Sequence, residues 1–147
     1  MPPGLHGDYK TLLKSCGLTS FEFDYLDLAL SDAKEEAKFY KPLNPAHVSH
    51  TLVPKMYGSD SLTVQADHLV NVMKTRGDSK IDLLKLDIEG GEVAVLHHML
   101  DNGVFPRYLG VEFDLLAKGK DPANKSQKLT DRLQQNYHVL HQDGANI

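Results

Sequence analysis

Between Lys80 and Glu92 the apolar residues Ile81, Leu83, Leu84, Leu86 and Ile88 crowd among charged neighbours. Apolar positions this dense do not suit a half-exposed antiparallel strand. They suit a parallel strand covered on both faces. The pattern predicts a strand over residues 81–88 that ends in acids and opens through Gly90 and Gly91 into a helix. Val93, Val95, Leu96, Met99 and Leu100 then recur at helical spacing, and Gly103 with Pro106 closes a helix predicted over residues 91–102. Residues 107–113 read as a second strand, again running into acids at Glu112 and Asp114. Strand, helix and strand make a βαβ unit, and in open parallel sheets ligands sit beyond the carboxyl ends of the strands. Asp87, Glu89 and Glu112 fall near that rim. Capping accounts for such acids as well as a ligand site does, because a carboxylate at a strand-to-helix turn satisfies free N–H groups and complements the positive helix end.

The wording of the segment separates these readings. "LLKLDIEGGEVAVL", followed by "YLGVEFD", resembles the FkbM-type family of S-adenosylmethionine-dependent methyltransferases, whose fourth strand reads K-hydrophobic-D-hydrophobic-E-G-x-E. Lys85, Asp87, Glu89, Gly90 and Glu92 occupy the matching positions, and Glu112 matches an acid of the next strand; Gly91 stands where the family often carries a larger residue. Upstream, "LDLALSD" resembles the third strand and its tip, "KFYKPLNPAHVSHTLV" an extended hairpin, and "SLTVQADHLVNVM" a short strand and helix with Asp67 at the usual acid. Downstream, "RLQQNYHVLHQDG" resembles the penultimate helix and strand. The resemblance implies strands near residues 21–30 and 137–141, a hairpin segment near 36–40, and a helix near 123–135. The fold expected is α/β, part of a class I, Rossmann-like methyltransferase: a mostly parallel sheet with flanking helices over residues 21–147. Residues 1–20 read as a loop and one helix near 8–15. The resemblance further implies S-adenosylmethionine as cofactor, with Ser31, Asp32 and Asp87 binding it and Asp87, Glu89 and Glu112 catalytic.

Against that pattern, none of the 11 glycines forms Gly-x-Gly. Such a turn lets backbone approach a cofactor closely because glycine lacks a Cβ. The segment before Phe21 leaves no room for two strands, and "HQDGANI" stops where the family forms a last hairpin strand. The expectation is the middle and late part of a methyltransferase domain without its cofactor cradle, with Ser31-Asp32 displaced from Asp87 and S-adenosylmethionine held weakly or not at all. The strands absent from the sequence lie, in the family order, between the third and the fourth. The strand at 81–88 would then present an open edge, and open edges recruit other strands, self-association included.

Composition narrows the partners. At 147 residues and 41% hydrophobic, the chain can build one core, and a net charge of -4 argues against a nucleic-acid surface. The expected ligand is a small molecule or sugar. No apolar run approaches a membrane span, no leader is visible, and the default compartment is cytoplasmic. One cysteine, Cys16, excludes an internal disulfide. His97 and His98 are adjacent on a helix and point apart; His47 and His50 flank a loop that the resemblance places over the site.

Methyl transfer from a sulfonium is an in-line displacement, accelerated mainly by near-attack positioning. Asp87 can accept the proton of a hydroxyl or amine, orient it, or face the cationic end of the cofactor. Lys85, inside the strand, is expected to be buried and paired with Asp87 or Glu112, which makes the carboxylate a weaker base and favours orientation. The alternative function is a non-catalytic remnant or interaction module with the half-fold alone. A divalent-metal site from Asp87, Glu89 and Glu92 is disfavoured, since Glu92 turns away on the helix, and no metal is expected.

Overall fold

The computed structural model describes Ser15, Asp24, residues 26–43, 50–54 and 60–114, Gly119, Asp121 and residues 124–147. The helix expected near residues 8–15 and the first half of the strand expected at 21–30 lie outside those residues, apart from Ser15 and Asp24.

Among the described residues, five strands and three helices follow one another: β1 Ala29–Leu30, β2 Glu35–Tyr40, β3 Ser61–Asp67, α1 Leu69–Arg76, β4 Leu83–Leu86, α2 Glu92–Asp101, β5 Tyr108–Val111 and α3 Lys125–Leu133. They form two small sheets rather than the one mostly parallel sheet expected. The first is mixed, in the order β1-β3-β2. β2 runs antiparallel to β3, from Glu35 opposite Ala66 to Tyr40 opposite Ser61, and β1 pairs parallel to β3 through Ala29 and Leu30. The second sheet is β4 beside β5, parallel, with Leu83 opposite Tyr108 and Leu86 opposite Val111. The βαβ unit, the hairpin segment and the α/β class are therefore as expected, and one of the two sheets is mixed. Of the strand expected over residues 21–30, the described part pairs at Ala29 and Leu30, and Leu26 is exposed.

The core lies between the inner face of β4–β5 and helices α2 and α3. Leu86, Val111 and Phe113 meet Val95, Leu96 and Met99 of α2 and Leu129 and Leu133 of α3, all buried. Alternation explains which strand residues enter it: Leu84 and Leu86 face inward, and Leu83 and Lys85 face out. Leu83 is 68% exposed, so β4 is covered on one face, not two. Residues 137–141 form no strand, against expectation. Tyr137 is tied down by its hydroxyl, which donates to the Pro106 carbonyl at 2.9 Å. Beyond it the turn at Asp143–Asn146 returns the chain, and Ile147 exchanges two backbone hydrogen bonds with Val111, at 2.7 and 2.9 Å. The free edge of β5 is thereby covered by the last residues, and among the described residues no strand pairs with the other edge of β4.

The turn from β4 into α2 is the most constrained stretch. Glu89 (φ 55°) and Gly90 (φ 99°) both take left-handed backbone, which a glutamate adopts only at a cost. Glu92, 1% exposed, closes this turn: one carboxylate oxygen accepts the N–H of Ile88 at 3.1 Å and of Gly90 at 3.0 Å. As an acid in the first turn of α2 it also complements the positive helix end. Gly91 fits the same packing, since a Cβ there would lie 3.2 Å from Ile88 Cδ1. Burial raises the Glu92 pKa above its ordinary 4.5, and the backbone N–H groups offset this only in part.

Glu92→Ala leaves one buried and one part-buried N–H group without an acceptor and should cost about 2–4 kcal/mol, read as a shifted urea midpoint. Glu92→Gln keeps the acceptor oxygen and should stay within about 1 kcal/mol. The folded state holds the Glu92 proton more tightly than the unfolded chain does. Its contribution to stability is therefore full below pH 4.5 and falls as pH rises through the raised folded pKa. The stability difference between wild type and Glu92→Gln should drift in favour of the variant over that window; a pH-independent difference would contradict the burial argument.

Candidate functional site

β4 and β5 end level with each other. Glu112 N donates to Leu86 O at 3.0 Å, so Asp87 and Glu112 leave the two strands at the same height. Past this point the paths diverge. The left-handed turn swings Glu89 back over the strand end, and the chain after Phe113 leaves the strand path. Carboxylate oxygens of Asp87, Glu89 and Asp114 consequently lie within 4.8 Å of one another, with Asp87 exposed, Glu89 half-buried and Asp114 buried. Of the acids expected in the site, the structure brings Asp87 and Glu89 together. Asp114 joins them, and Glu112 stands outside that group. The sequence holds one signal for Asp114: an acid enclosed by the apolar residues Phe113 and Leu115 is expensive to bury without a task.

Thr51, 0% exposed, ties this turn to the other sheet. Its hydroxyl donates to the Glu89 carbonyl and accepts Val53 N–H at 3.0 Å, while its backbone bridges to Tyr40 at the end of β2. Thr51 carried no signal in sequence beyond its position after the His-Val-Ser-His run. Of that run, His47 lies outside the described residues, and His50 packs against Phe39 with ring centroids 5.2 Å apart.

Lys85 pairs as expected but is not buried. Its ammonium lies 3.8 Å from Asp87 Oδ2 and 3.3 Å from the Leu86 carbonyl, and its side chain is 53% exposed. The bare outer face of β4 explains this: the aliphatic stem lies across Gly110 of β5, where a Cβ would sit 3.5 Å from Lys85 Cδ, and the charge reaches water.

Ser31 and Asp32 lie beyond β1. Ser31 Oγ accepts Ala33 N–H at 3.2 Å and reaches Asp32 at 3.4 Å. Asp32 lines an open cleft of about 660 Å³ together with Gly90 of the acidic turn and His97 and His98 of α2. The two histidines do point apart: His97 meets Arg132, and His98 stacks on His68 with centroids 4.0 Å apart. Asp67, at the end of β3, serves the fold. It accepts Asn71 Nδ2 at 2.7 Å and His68 N–H at 2.8 Å and pairs with Lys34 at 3.3 Å, and the Asn71 bond leads in holding its carboxyl below the usual range.

Three converging carboxylates of graded exposure can attract a cationic group, hold a hydroxyl or amine by hydrogen bonds, and take up its proton. Oxygen donors at this spacing could also hold a hard cation. Glu92 is not available to such a set, because its carboxylate is engaged by the turn.

Among the described residues, no helix is long and apolar enough to cross a membrane. No curated protein and no solved structure matches the chain. The family model of the methyltransferase FkbM domain matches residues 9–126, a span that takes in both sheets, the Glu92 turn and all three converging acids. The chain belongs to the methyltransferase FkbM domain family.

Proposed function

We propose that this chain serves S-adenosylmethionine-dependent methyl transfer to an oxygen or nitrogen of a small molecule or sugar, with the acids at the β4–β5 rim as its transfer edge. The observation that carries the reading is the convergence of Asp87, Glu89 and Asp114 within 4.8 Å, in a chain of a methyltransferase family. A carboxylate set suits the cationic end of S-adenosylmethionine, where sulfonium and ammonium charges are stabilised by fixed negative groups. When bound, that molecule supplies an electrophilic methyl group. Asp87, exposed at the strand end, orients the acceptor hydroxyl or amine and receives its proton, with the Lys85 ammonium 3.8 Å away. Glu89 and the buried Asp114 contribute negative charge where water is partly excluded. Glu112, level with Asp87, is left for acceptor contacts. Ser31 and Asp32 take the adenine side by family resemblance.

One observation favours a second reading, as an interaction module. The outer face of the parallel pair is uncovered, with Leu83 68% and Tyr108 48% exposed, and parallel strands are ordinarily covered on both faces. A second copy stacked on that face would cover it. Light scattering across a range of protein concentrations tests this, and a monomer throughout would contradict it.

For the methyl-transfer reading, calorimetric titration with S-adenosylmethionine is the direct test. Because the sequence contains no Gly-x-Gly turn, the expected Kd is weaker than about 0.1 mM, short of about −5.5 kcal/mol. Asp87→Asn and Asp114→Asn should each weaken it further. Low-micromolar affinity would reveal a cradle built without that turn, and binding indifferent to both substitutions would detach the acids from the site.

A further inference from the structure

The cleft beside the acidic turn has a chemistry of its own. Val53 and, from α2, Val93 and Ala94 supply apolar wall. Lys125 and Lys128 reach it from α3, three residues apart and so on one helix face. Elsewhere Lys34, Lys41, Lys80, Lys85, Arg76 and Arg132 each hold a carboxylate within 4 Å. Neither Lys125 nor Lys128 forms an ion pair among the described residues.

The acids that might have answered them are placed otherwise. Asp101, at the end of α2, is bound by the Arg132 guanidinium, which holds its carboxyl below the usual range. Asp121 is turned to the start of α3, where its two oxygens accept the N–H groups of Lys125 and Ser126, each at 3.0 Å. Asp32 stands on the cleft lining contributed from beyond β1. His97 adds a donor. Arg132 Nη1 lies 2.9 Å from His97 Nδ1, and because a guanidinium can only donate, Nδ1 must accept. The ring proton then sits on Nε2. The cleft thus combines two ammonium groups, unpaired among the described residues, and an imidazole N–H with an apolar wall and two acidic lining residues, Asp32 and the Arg132-bound Asp101, on a chain whose net charge is -4.

We infer that this cleft is a subsite for a small molecule carrying a phosphate or carboxylate group, with the anion on Lys125 and Lys128 and an apolar body against Val53, Val93 and Ala94. It stands on the cleft alone and does not depend on the methyl-transfer reading. Gly90 lines the same cleft one residue from Glu89, so a molecule anchored there by its anion would extend toward the converging acids.

The test is a titration of the full ¹⁵N-labelled chain with phenyl phosphate, benzoate and benzyl alcohol, following backbone amides. Phenyl phosphate should shift the amides of residues 93–101 and 125–128, with benzoate weaker at the same positions if the natural group is a phosphate and stronger if it is a carboxylate. Benzyl alcohol should bind at least about tenfold more weakly than the better anion, the size expected for losing one charge-assisted contact. The double substitution Lys125→Gln, Lys128→Gln, at exposed positions, should raise the Kd of that anion by about tenfold or more. Raising NaCl from about 20 to about 300 mM should weaken it several-fold without any substitution, as screening requires. Equal binding of benzyl alcohol, a Kd unchanged in the double variant, or shifts confined to other parts of the chain would each overturn the inference.

Discussion

The structure depends on one buried carboxylate. Glu92 is almost without solvent exposure, yet it begins a helix and spends its acceptor capacity backwards, on the amides of Ile88 and Gly90. Without those bonds, consecutive left-handed residues at Glu89 and Gly90 would leave orphaned N–H groups inside the protein. With them, β4 can stop abruptly and α2 can start within a few residues and pack back onto the sheet. Burial works against the charge and the N–H groups work for it; the raised pKa says that burial is the larger effect. A group held at such a cost fixes geometry. What it fixes is the direction of Asp87 and Glu89, which flank the turn, relative to Asp114 arriving from β5.

Much of this was legible in the residues. The dense apolar run ending in acids gave a parallel strand, and Val93 to Leu100 at helical spacing gave α2 nearly to the residue. The K-x-D-x-E-G-x-E wording led to the family. What was not legible depends on the rest of the fold. Alternation along a strand is the same whether its second face is covered or bare, so Lys85 read as buried when its stem lies across Gly110 and its charge meets water. Residues 137–141 have strand-like composition, but the Tyr137 hydroxyl is held by Pro106, and β5 takes Ile147 as its neighbour. Asp114 escaped notice as a site residue because its role arises where the chain leaves the strand path after Phe113, a change that no period announces.

Two neighbouring regions of opposite character emerge. The β4–β5 rim gathers carboxylates; the cleft between α2 and α3 carries ammonium groups, unpaired among the described residues, over an apolar wall. Gly90 belongs to both, as the residue between Glu89 and the helix start. Thr51 adds a tie from the first sheet by holding the Glu89 carbonyl, so that a disturbance at β2 or β3 would be felt at the acids. A molecule with a nucleophile at one end and an anion at the other is the shape that these two regions together accommodate.

The central claim is that the turn pinned by Glu92 presents the acids to a methyl-transfer ligand. Its most direct test is amide chemical-shift mapping with S-adenosylhomocysteine at saturating concentration, in wild type and in Glu92→Ala. The account predicts shifts at residues 87–91 and 112–114 in wild type and their loss in a variant that remains folded. Shifts located away from that rim, or shifts there that persist undiminished without Glu92, would contradict it.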